Sequence, residues 1–465
     1  MRWIISGSRL ALAAWIGGPI LGCAHYHSMP LLPAAEAESF YQRRLDDPGL
    51  TAFTAKVLAK SHAASETNSW NLPRLTLAAL YYHPDLLIAR AQLATSLAAI
   101  KTARRIPNPT LTILGGPSPG YIGYSLGILF ETFGKRGYRV YQAQRLAGAA
   151  QWNVLNTAWQ IRSNLRSAFL TYWSTEKKLA LTQRILSAQE RLVTLEEQRL
   201  AQGESSATDV ALVRIARAKT DLAVSGLDKL LAESRVALAI AIGVPVDALN
   251  AVSLKTAEFD SSPVVPEDGA AAQLRRRALT DRADVRSLLA EYEASQSSLQ
   301  IQIANQYPNI TLTGAYNYDF RNQFELNPTL DLPVFIQNQG PIVEAEARRR
   351  EAALRFLALQ AAVIGQIERG TASYRLASAA VIKADLLVSD ERQRLRETEQ
   401  SFQAGAIDRP ALVTVQLEAA TAEASRFDAV VLQREAVALL EDGLQQPLFD
   451  PSTSLRVSEI SMMSQ

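Results

Sequence analysis

The residue types that most often perform acid–base or metal chemistry are scarce in this sequence. It contains four histidines and one cysteine, which are His25, His27, His62, His83 and Cys23. His25 and His27 are near enough along the chain to contact one metal ion, but a solvated tether is the simpler interpretation of this short segment. We therefore expect no metal site.

Two other kinds of chemistry are not indicated either. The sequence has no Gly-rich phosphate-binding loop ending in Lys and Ser or Thr, so it does not use ATP by that route. It also shows no pairing of nucleophile and base that would define a catalytic site. The formal net charge is +2, whereas a nucleic-acid-binding surface needs clustered basic residues. The sequence predicts a protein that is not an enzyme, has no cofactor and binds no nucleic acid.

The N-terminus resembles an export signal followed by a lipid attachment site. Arg2 and Arg9 supply positive charge, and residues 10–20 form an apolar run that is too short to cross a bilayer as a helix. Residues 20–23 read Ile-Leu-Gly-Cys, which is similar to a bacterial lipobox. On this interpretation residues 1–22 are a signal peptide that is removed, and Cys23 is acylated, for example with palmitate. A plain signal peptide with an incidental cysteine is the alternative.

The residues that follow Cys23 suggest where the lipoprotein resides. Asp after the acylated cysteine commonly retains a lipoprotein in the inner membrane, whereas Ala24 favours the outer membrane. Residues 23–70 are weakly periodic and are predicted to form a lipidated tether with one or two short helices.

Alternation with a period of two predicts the strands. Apolar residues occupy every second position from Ile122 to Phe130, from Ile310 to Phe320 and from Phe324 to Val334, and a shorter strand is predicted at residues 110–114. Each clear strand has about ten residues, the length that a tilted membrane strand needs. We expect the last strand, through Leu332 and Val334, to lead directly into a long helix.

The alternation has two interpretations. A membrane strand carries apolar residues toward lipid and polar residues toward water. A soluble sheet half-covered by helices shows the same pattern. Because four strands cannot close a barrel and open edges are not tolerated in lipid, a membrane sheet would require several chains to share one barrel.

Long helices follow each strand pair. Residues 136–202 predict one helix about 100 Å long, and Gly203 ends it before a return helix at about residues 208–243. A second long helix ends near Ala404 and is followed by Gly405 and a return helix to about residue 446. Helices are also predicted at residues 72–105 and 271–305, before the strand pairs. No apolar run of 18 residues follows the signal, so no transmembrane helix is predicted.

The chain is internally duplicated. A shift of 202 residues superposes two apolar seams with a period of seven, Leu165, Tyr172, Leu179, Leu186, Val193 and Leu200 on Ile367, Tyr374, Val381, Val388, Leu395 and Phe402. Such seams are typical of coiled-coil packing. The predicted organisation is a signal peptide (1–22), a tether (23–70), a first repeat (71–245), a linker (246–270), a second repeat (271–447) and a tail (448–465).

Residues 72–447 resemble the TolC-like outer-membrane efflux proteins, most closely their heavy-metal-efflux branch. The resemblance rests on the segments at residues 80–86, 107–109, 133–137 and 332–340, and on Gly203 followed by Ser206, Asp209 and Val210. It implies a mainly α protein with a β-barrel portion. Three copies would form one barrel of twelve strands, continued by an α-helical coiled-coil tunnel in the periplasm. It also implies partnership with a periplasmic adaptor (a membrane fusion protein), an inner-membrane pump and outer-membrane lipid. Ala411 stands where an acidic residue is usual.

The two turns between long and return helices are the predicted docking tips. Gly203 and Gly405 can adopt the left-handed conformation that ends a helix. Ser206 with Asp209, and Asp408 in the second copy, can cap the return helices. We predict that these residues, with Glu204 and Ala406, also contact the adaptor; the alternative is that they only cap helices.

Two rival functions remain. One is a duct of the same fold for type I protein secretion or polysaccharide export. The other is a periplasmic coiled-coil adaptor, against which the duplication and the strand pairs count. The resemblance to the heavy-metal-efflux branch makes metal cations the first expected cargo, with small toxic compounds as the broader class. In such assemblies the pump selects the substrate and the outer duct mostly conducts it.

Overall fold

The computed structural model describes residues 25–61, 70–115, 121–260, 268–319 and 321–448. The chain divides into two units, residues 1–43 and residues 44–465. In the first unit the described element is helix α1 (Pro33–Tyr41), which has a proline in its first turn. The second unit contains the remaining helices and strands.

The second unit alternates helices with strand pairs. Its elements in chain order are α2 (Pro48–Ser61), α3 (Leu72–Tyr82), α4 (Pro84–Ala103), β1 (Thr110–Gly115), β2 (Ile122–Phe130), α5 (Lys135–Ala201), α6 (Ala207–Ile242), α7 (Val246–Asn250), α8 (Ala257–Asp260), α9 (Asp268–Asp281), α10 (Ala283–Ala304), β3 (Ile310–Asp319), β4 (Arg321–Leu330), α11 (Gln339–Gln403) and α12 (Arg409–Leu444). The long helices and their return helices agree with the predicted positions to within a few residues.

The duplication is visible in the helix bounds. A shift of 202 residues places α6 on α12 at both ends, and it places the last residue of α5 on the last residue of α11. The starts of the two long helices are instead 204 residues apart. The two copies therefore differ mainly where a strand leads into a long helix.

That difference corrects one expectation. The last strand ends at Leu330, and residues 331–338 separate it from α11, so strand β4 does not lead directly into the helix. Pro333 has no amide hydrogen for a strand ladder. The amide of Val334 donates to the carbonyl of Leu332 at 2.8 Å, which closes a tight turn around this proline. Leu332 and Val334 thus continue the alternation of the sequence without continuing the strand.

Two predicted helices are each divided. The predicted helix at residues 72–105 is broken between α3 and α4, where His83 has an extended ψ of 125° before Pro84. A residue that precedes proline disfavours the helical conformation. His83 then caps α4, because its Nδ1 accepts a hydrogen bond from the amide of Asp85 at 3.3 Å. In the second copy, Arg282 divides the predicted helix at residues 271–305 into α9 and α10.

Each long helix changes partner along its length. Toward the tip, α5 packs against α6, and Arg214 and Arg217 of α6 pair with Glu197 and Glu190 of α5. Toward the sheet, α5 packs against α4 and α10 instead. There Ser287 of α10 donates to the carbonyl of Ala149 at 3.1 Å.

The apolar core lies midway along the long helices. Phe169 and Trp173 of α5 are almost fully buried, and both contact the ring of Phe259 in α8, at 5.6 and 5.5 Å between centroids. Residues predicted as an inter-repeat linker thus contribute to the core. The heptad seam is buried at Leu165 in this region, whereas Leu200, near the tip, is 38 % exposed.

A buried ion-pair cluster joins the two repeats at the same level. Arg166 of α5 is paired with Glu441 of α12, and both side chains are almost completely buried. Arg162 lies 3.4 Å from the same carboxylate, and Arg166 also contacts Asp442 at 2.8 Å. Because a buried charge needs a partner, these pairs fix the position of α12 on α5.

Candidate functional site

The four strands form one antiparallel sheet in the order β1-β2-β3-β4. Their register aligns apolar residues in rows across the sheet. In one row Ile113 is opposite Tyr124, Tyr124 is opposite Tyr316, and Tyr316 is opposite Phe324. The rings of Tyr316 and Phe324 are 5.0 Å apart. One face of the sheet is therefore apolar across all its strands.

The opposite face is polar or small. Between the apolar rows, Ser125 is opposite Ala315 and Ala315 is opposite Glu325, and in the next such row Thr313 is opposite Asn327. The alternation predicted from the sequence thus becomes two chemically distinct faces.

The apolar face of the sheet is exposed to solvent. On β2, Ile122 is 49 % and Tyr124 is 44 % exposed, whereas Gly123 between them is buried. On β4 the exposed fraction reaches 82 % at Phe324. A soluble sheet half-covered by helices would bury its apolar face, whereas this sheet leaves that face exposed on β2 and β4.

Both edges of the sheet are unpaired. β1 and β4 are the outer strands, and no described strand pairs with their free sides. Every residue of β4 is exposed. An apolar face with two open edges is a surface that needs further strands before it can enter lipid.

A polar network holds the sheet on the helices at the first junction. Lys135, the first residue of α5, donates to the carbonyl of Tyr307 at 2.7 Å and to Oδ1 of Asn309 at 2.8 Å. Burial lowers the pKa of Lys135, and the charge of Glu131 partly opposes this. Phe133, at a φ of +54°, stacks on Tyr307 at 4.0 Å between ring centroids. The strand pairs of the two repeats are thus connected at their helical ends.

The first tip has the predicted capping arrangement. Gly203 has a φ of +78° and nothing within 4 Å of a would-be Cβ, so it ends α5 in the left-handed conformation. The amide of Asp209 donates to Oγ of Ser206, and the amide of Ser206 donates to the carboxylate of Asp209, both at 3.1 Å. The hydroxyl of Ser206 also donates to Oδ2 of Asp209 at 2.7 Å, and the hydrogen bonds that the hydroxyl and the amide of Ser206 donate lower the pKa of Asp209. Ser206 and Asp209 thus form a reciprocal capping box on α6.

The second tip uses a simpler cap. Gly405 has a φ of +73°, and the amide of Ala406 donates to the carbonyl of Ser401 at 2.9 Å. Asp408 accepts a hydrogen bond from the amide of Ala411 at 3.0 Å. All the tip residues identified from the sequence are exposed, namely Gly203, Glu204, Ser206, Asp209, Gly405, Ala406 and Asp408.

The structure adds one residue that sequence reasoning missed. Arg199, on the last turn of α5, lies 3.8 Å from Asp408 of the other tip and 3.3 Å from Glu196 of its own helix. Its guanidinium is also 4.0 Å from Glu204. The two tips are therefore neighbours. The sequence carries no signal for this contact, because the duplicated position is Ser401.

Comparisons with known proteins identify this architecture. Residues 75–244 match the model of the outer membrane efflux protein family. A comparison with curated protein sequences gave no match. Among solved structures, the outer membrane protein VceC of Vibrio cholerae has a TM-score of 0.65 at 18 % identity, over 80 % of this chain and 95 % of that one. The outer-membrane channel OprN has a TM-score of 0.66 at 16 % identity, over 92 % of this chain and all of that one.

The chain has the fold of an outer membrane efflux protein. The open-state MtrE channel of Neisseria gonorrhoeae is similar too, with a TM-score of 0.65 at 17 % identity over 80 % of this chain and 88 % of that one. The resemblance to the outer membrane efflux proteins is confirmed over residues 75–244 and in the fold, and so is the mainly α class with a small sheet. OprN and MtrE are described as outer-membrane channels.

The N-terminal candidates have different outcomes in this efflux-protein fold. Cys23 and His62 lie outside the described residues. His25 and His27 are exposed in the first unit. Burial lowers the pKa of His83, which acts as a helix cap, while the nearby Asp85 opposes that shift. Across the described ranges no group of three His, Cys, Asp or Glu side chains could hold a metal ion.

Within the part of the chain that the structure describes, no helix is both apolar and long enough to cross a bilayer.

Proposed function

We propose that this chain is one subunit of a trimeric outer-membrane efflux channel, which passively conducts substrates from an inner-membrane pump and a periplasmic adaptor to the outside. The observation that carries the proposal is the exposed apolar face of the sheet. Ile122, Tyr124 and Phe324 are open on that face, and the polar residues are on the other. Such a sheet fits a barrel wall with lipid outside and water inside.

The need for further copies follows from the open edges. In antiparallel order the free side of β4 can pair with the free side of β1 in a neighbouring copy, because these strands run in opposite directions. Repeating this contact closes a ring. With three copies the ring has twelve strands, the number that the family resemblance implies.

The helices carry complementary evidence for this assembly. On α6, Leu212 and Leu222 are 61 % and 75 % exposed, and on α11, Leu354 and Leu357 are both more than half exposed. Apolar stripes of this kind need a covering surface. In a closed ring the helices of adjacent copies would cover each other and form the wall of a tunnel.

The tips are the proposed contact for the adaptor. They are the ends of the two hairpins most distant from the sheet, their residues are exposed, and the Arg199–Asp408 contact holds them side by side. Capping explains Ser206, Asp209 and Asp408. It does not explain the side chain of Glu204 or the small residue Ala406.

A lipid anchor at Cys23 completes the proposed topology. The lipobox-like residues 20–23 and the following Ala24 support acylation and delivery to the outer membrane. Labelling with radioactive palmitate tests the acylation of Cys23, and absence of label on the wild-type protein would contradict it. Since the barrel also anchors the chain, Cys23→Ala should lower the yield of assembled protein without making it soluble.

Membrane fractionation tests the proposed channel directly. The full-length protein should remain in the outer-membrane fraction after carbonate extraction, and light scattering corrected for detergent should give the mass of a trimer. A folded, soluble monomer would contradict the proposal. That result would instead favour the alternative function, a periplasmic adaptor.

We propose the chemical class of the transported substrate. The resemblance to the heavy-metal-efflux branch favours metal cations, with small toxic compounds as the broader class. A susceptibility panel of metal salts, dyes and antibiotics on a deletion strain, with and without the restored gene, distinguishes them. A strain with unchanged resistance but impaired secretion of a protein or polysaccharide would favour the alternative duct.

A further inference from the structure

The first junction between helices and sheet is strongly basic. Residues 101–139 contain six basic residues, Lys101, Arg104, Arg105, Lys135, Arg136 and Arg139, and one acidic residue, Glu131. The corresponding part of the second repeat, residues 303–341, contains one basic residue, Arg321, and three acidic residues, Asp319, Glu325 and Asp331. Of these, Asp319 and Arg321 pair at the hairpin end of β3 and β4, and Glu325 lies within β4, so only Asp331 lies at the second junction. The first junction is therefore basic, and the second has no matching group of basic residues.

This charge is not needed to build the junction. A shift of 202 residues takes Lys101, Arg104 and Arg105 to Ile303, Gln306 and Tyr307, yet α10 still ends and β3 still begins in the same way as α4 and β1. Cations at the C-terminal end of a helix do stabilise it through the helix dipole. The second repeat forms its helix end without them, so helix capping does not account for the difference.

Contacts place the basic residues at the level where the sheet ends. Arg139 pairs with Glu131, directly after β2, at 2.5 and 3.0 Å. The same guanidinium donates to the carbonyls of Ala103 and Arg105, at 3.1 and 3.2 Å. The end of α4 is thereby held beside the end of β2. Lys101 lies in the last turn of α4, three residues before Arg104, which is the C-cap of that helix, and Arg105 follows it.

Four of these cations have free side chains. Lys101, Arg104, Arg105 and Arg136 are exposed and make no ion pair with any residue in the described ranges. The one acidic side chain of this junction is already occupied, since both oxygens of Glu131 accept hydrogen bonds from Arg139. Lys135 and Arg139 are used internally, whereas these four are available to a ligand.

We propose that Lys101, Arg104, Arg105 and Arg136 bind the phosphate groups of anionic phospholipids in the membrane leaflet on the helical side of the barrel. The ligand class follows from position and charge together. The exposed apolar face of the sheet ends at Phe130, Ile310 and Leu330, and this group of cations lies just beyond that boundary, where headgroups would meet the protein. Clusters of Lys and Arg next to a membrane segment attract anionic lipid. The inference rests on the proposed insertion of the sheet in the outer membrane.

Native mass spectrometry of the full-length protein in a neutral detergent tests the site. The probes are phosphatidylglycerol and, for comparison, zwitterionic phosphatidylcholine. Wild-type protein should bind phosphatidylglycerol in preference. The variant K101Q/R104Q/R105Q/R136Q should lose at least about tenfold in affinity for phosphatidylglycerol and nothing for phosphatidylcholine, because only the charge attraction is removed. High salt should weaken the wild-type preference in the same way.

A matched control separates a local site from net charge. The variant K177Q/R184Q/K219Q/K383Q removes the same number of charges from exposed positions on α5, α6 and α11, and it should keep the wild-type preference. An equal loss in this control, or no loss in the first variant, would overturn the proposal. If the protein is an outer-membrane trimer and shows no preference for phosphatidylglycerol, the lipid-site proposal is contradicted and the proposed channel function is not. If the protein is soluble, the proposed channel function is contradicted, and the lipid site that rests on it is contradicted as well.

Discussion

The carboxylate of Asp408 in the second tip lies 3.8 Å from the guanidinium of Arg199 in the first. The two residues belong to different repeats and join them at the ends of the hairpins. Asp408 also accepts a hydrogen bond from the amide of Ala411, so a single carboxylate caps a helix and contacts the other tip. These two roles can be separated by mutation.

We expect Asp408→Ala to affect the second tip more than Arg199→Gln does. Loss of an N-cap costs about 0.5–2 kcal/mol, whereas an exposed ion pair contributes about 0–1 kcal/mol. Hydrogen exchange of the amides of residues 411–413 measures the difference. Asp408→Asn is the matched control, because asparagine can cap the helix without the charge. Equal exchange in the Asp408→Ala and Arg199→Gln proteins would contradict this assignment.

Bulky residues at the tips should abolish efflux and leave the trimer intact. Glu204→Trp and Ala406→Trp place large side chains on exposed positions beside Gly203 and Gly405, where they obstruct a partner without disturbing a core. Drug or metal resistance of the complemented deletion strain is the readout, with trimer yield measured in parallel. Glu204→Gln and Ala406→Ser, which add no bulk, should retain transport. Transport that survives both tryptophan changes places the docking surface elsewhere.

Substitution by arginine should have different effects on trimer yield at two adjacent residues of β4. Leu326 lies in an apolar row opposite Gly314, and Asn327 lies on the other face opposite Thr313. Arginine on the lipid face of a barrel costs about 2–4 kcal/mol near the middle of the bilayer. Leu326→Arg should therefore reduce the yield of trimer in outer-membrane extracts, and Asn327→Arg should not. In a soluble protein the exposed Leu326 would tolerate arginine as well as Asn327 does.

Removing the buried carboxylate of Glu441 should be strongly destabilising. Arg166 is almost fully buried against it, and breaking such a pair typically costs about 3–5 kcal/mol, because one charge remains buried without its partner. We expect Glu441→Ala to reduce thermal stability far more than Asp442→Asn, since the side chain of Asp442 is 35 % exposed. Thermal unfolding followed by circular dichroism compares the two. Similar losses would indicate that the charge of Arg166 is compensated elsewhere.

The capping box of the first tip should persist in mild acid. Hydrogen bonds from Ser206 lower the pKa of Asp209 below its ordinary value of 3.8, so the ionised form is favoured in the folded tip. Its stabilising contribution is complete above the unfolded pKa and is lost as the pH falls through the lower folded pKa. Exchange protection of the amides near Asp209 should be equal at pH 7 and pH 5 and decrease only below about pH 4. Loss of protection already at pH 5 would contradict this, and Asp209→Asn should remove the dependence.

Local signals were sufficient to predict much of this fold. The long helices follow from their periodicity, and both tips follow from glycines at Gly203 and Gly405 that adopt positive φ. The strands follow from alternation, although alternation alone could not give their ends. At Leu332 and Val334 the pattern continues while Pro333 has already ended the ladder. Pattern and hydrogen bonding are different properties, and only the second defines a strand.

Contacts between distant residues were not predictable in this way. Arg166 and Glu441 are 275 residues apart, and each is an ordinary helical residue in sequence. Phe259 lies in a stretch rich in proline that suggests a linker, yet it is buried against Trp173. The Arg199–Asp408 contact depends on the packing of one hairpin against the other. These features arise from tertiary structure, which a single sequence does not encode locally.

The position of the buried Arg166–Glu441 pair along α5 also determines how far the tips move when the helices tilt. Arg166 is 35 residues from Ala201, the end of α5, which corresponds to about 52 Å of helix. A tilt of about 5° at that level would carry a tip sideways by about 5 Å, roughly half the distance between two packed helix axes. A small rearrangement at the level of this ion pair would therefore become a displacement of the tips by several ångströms.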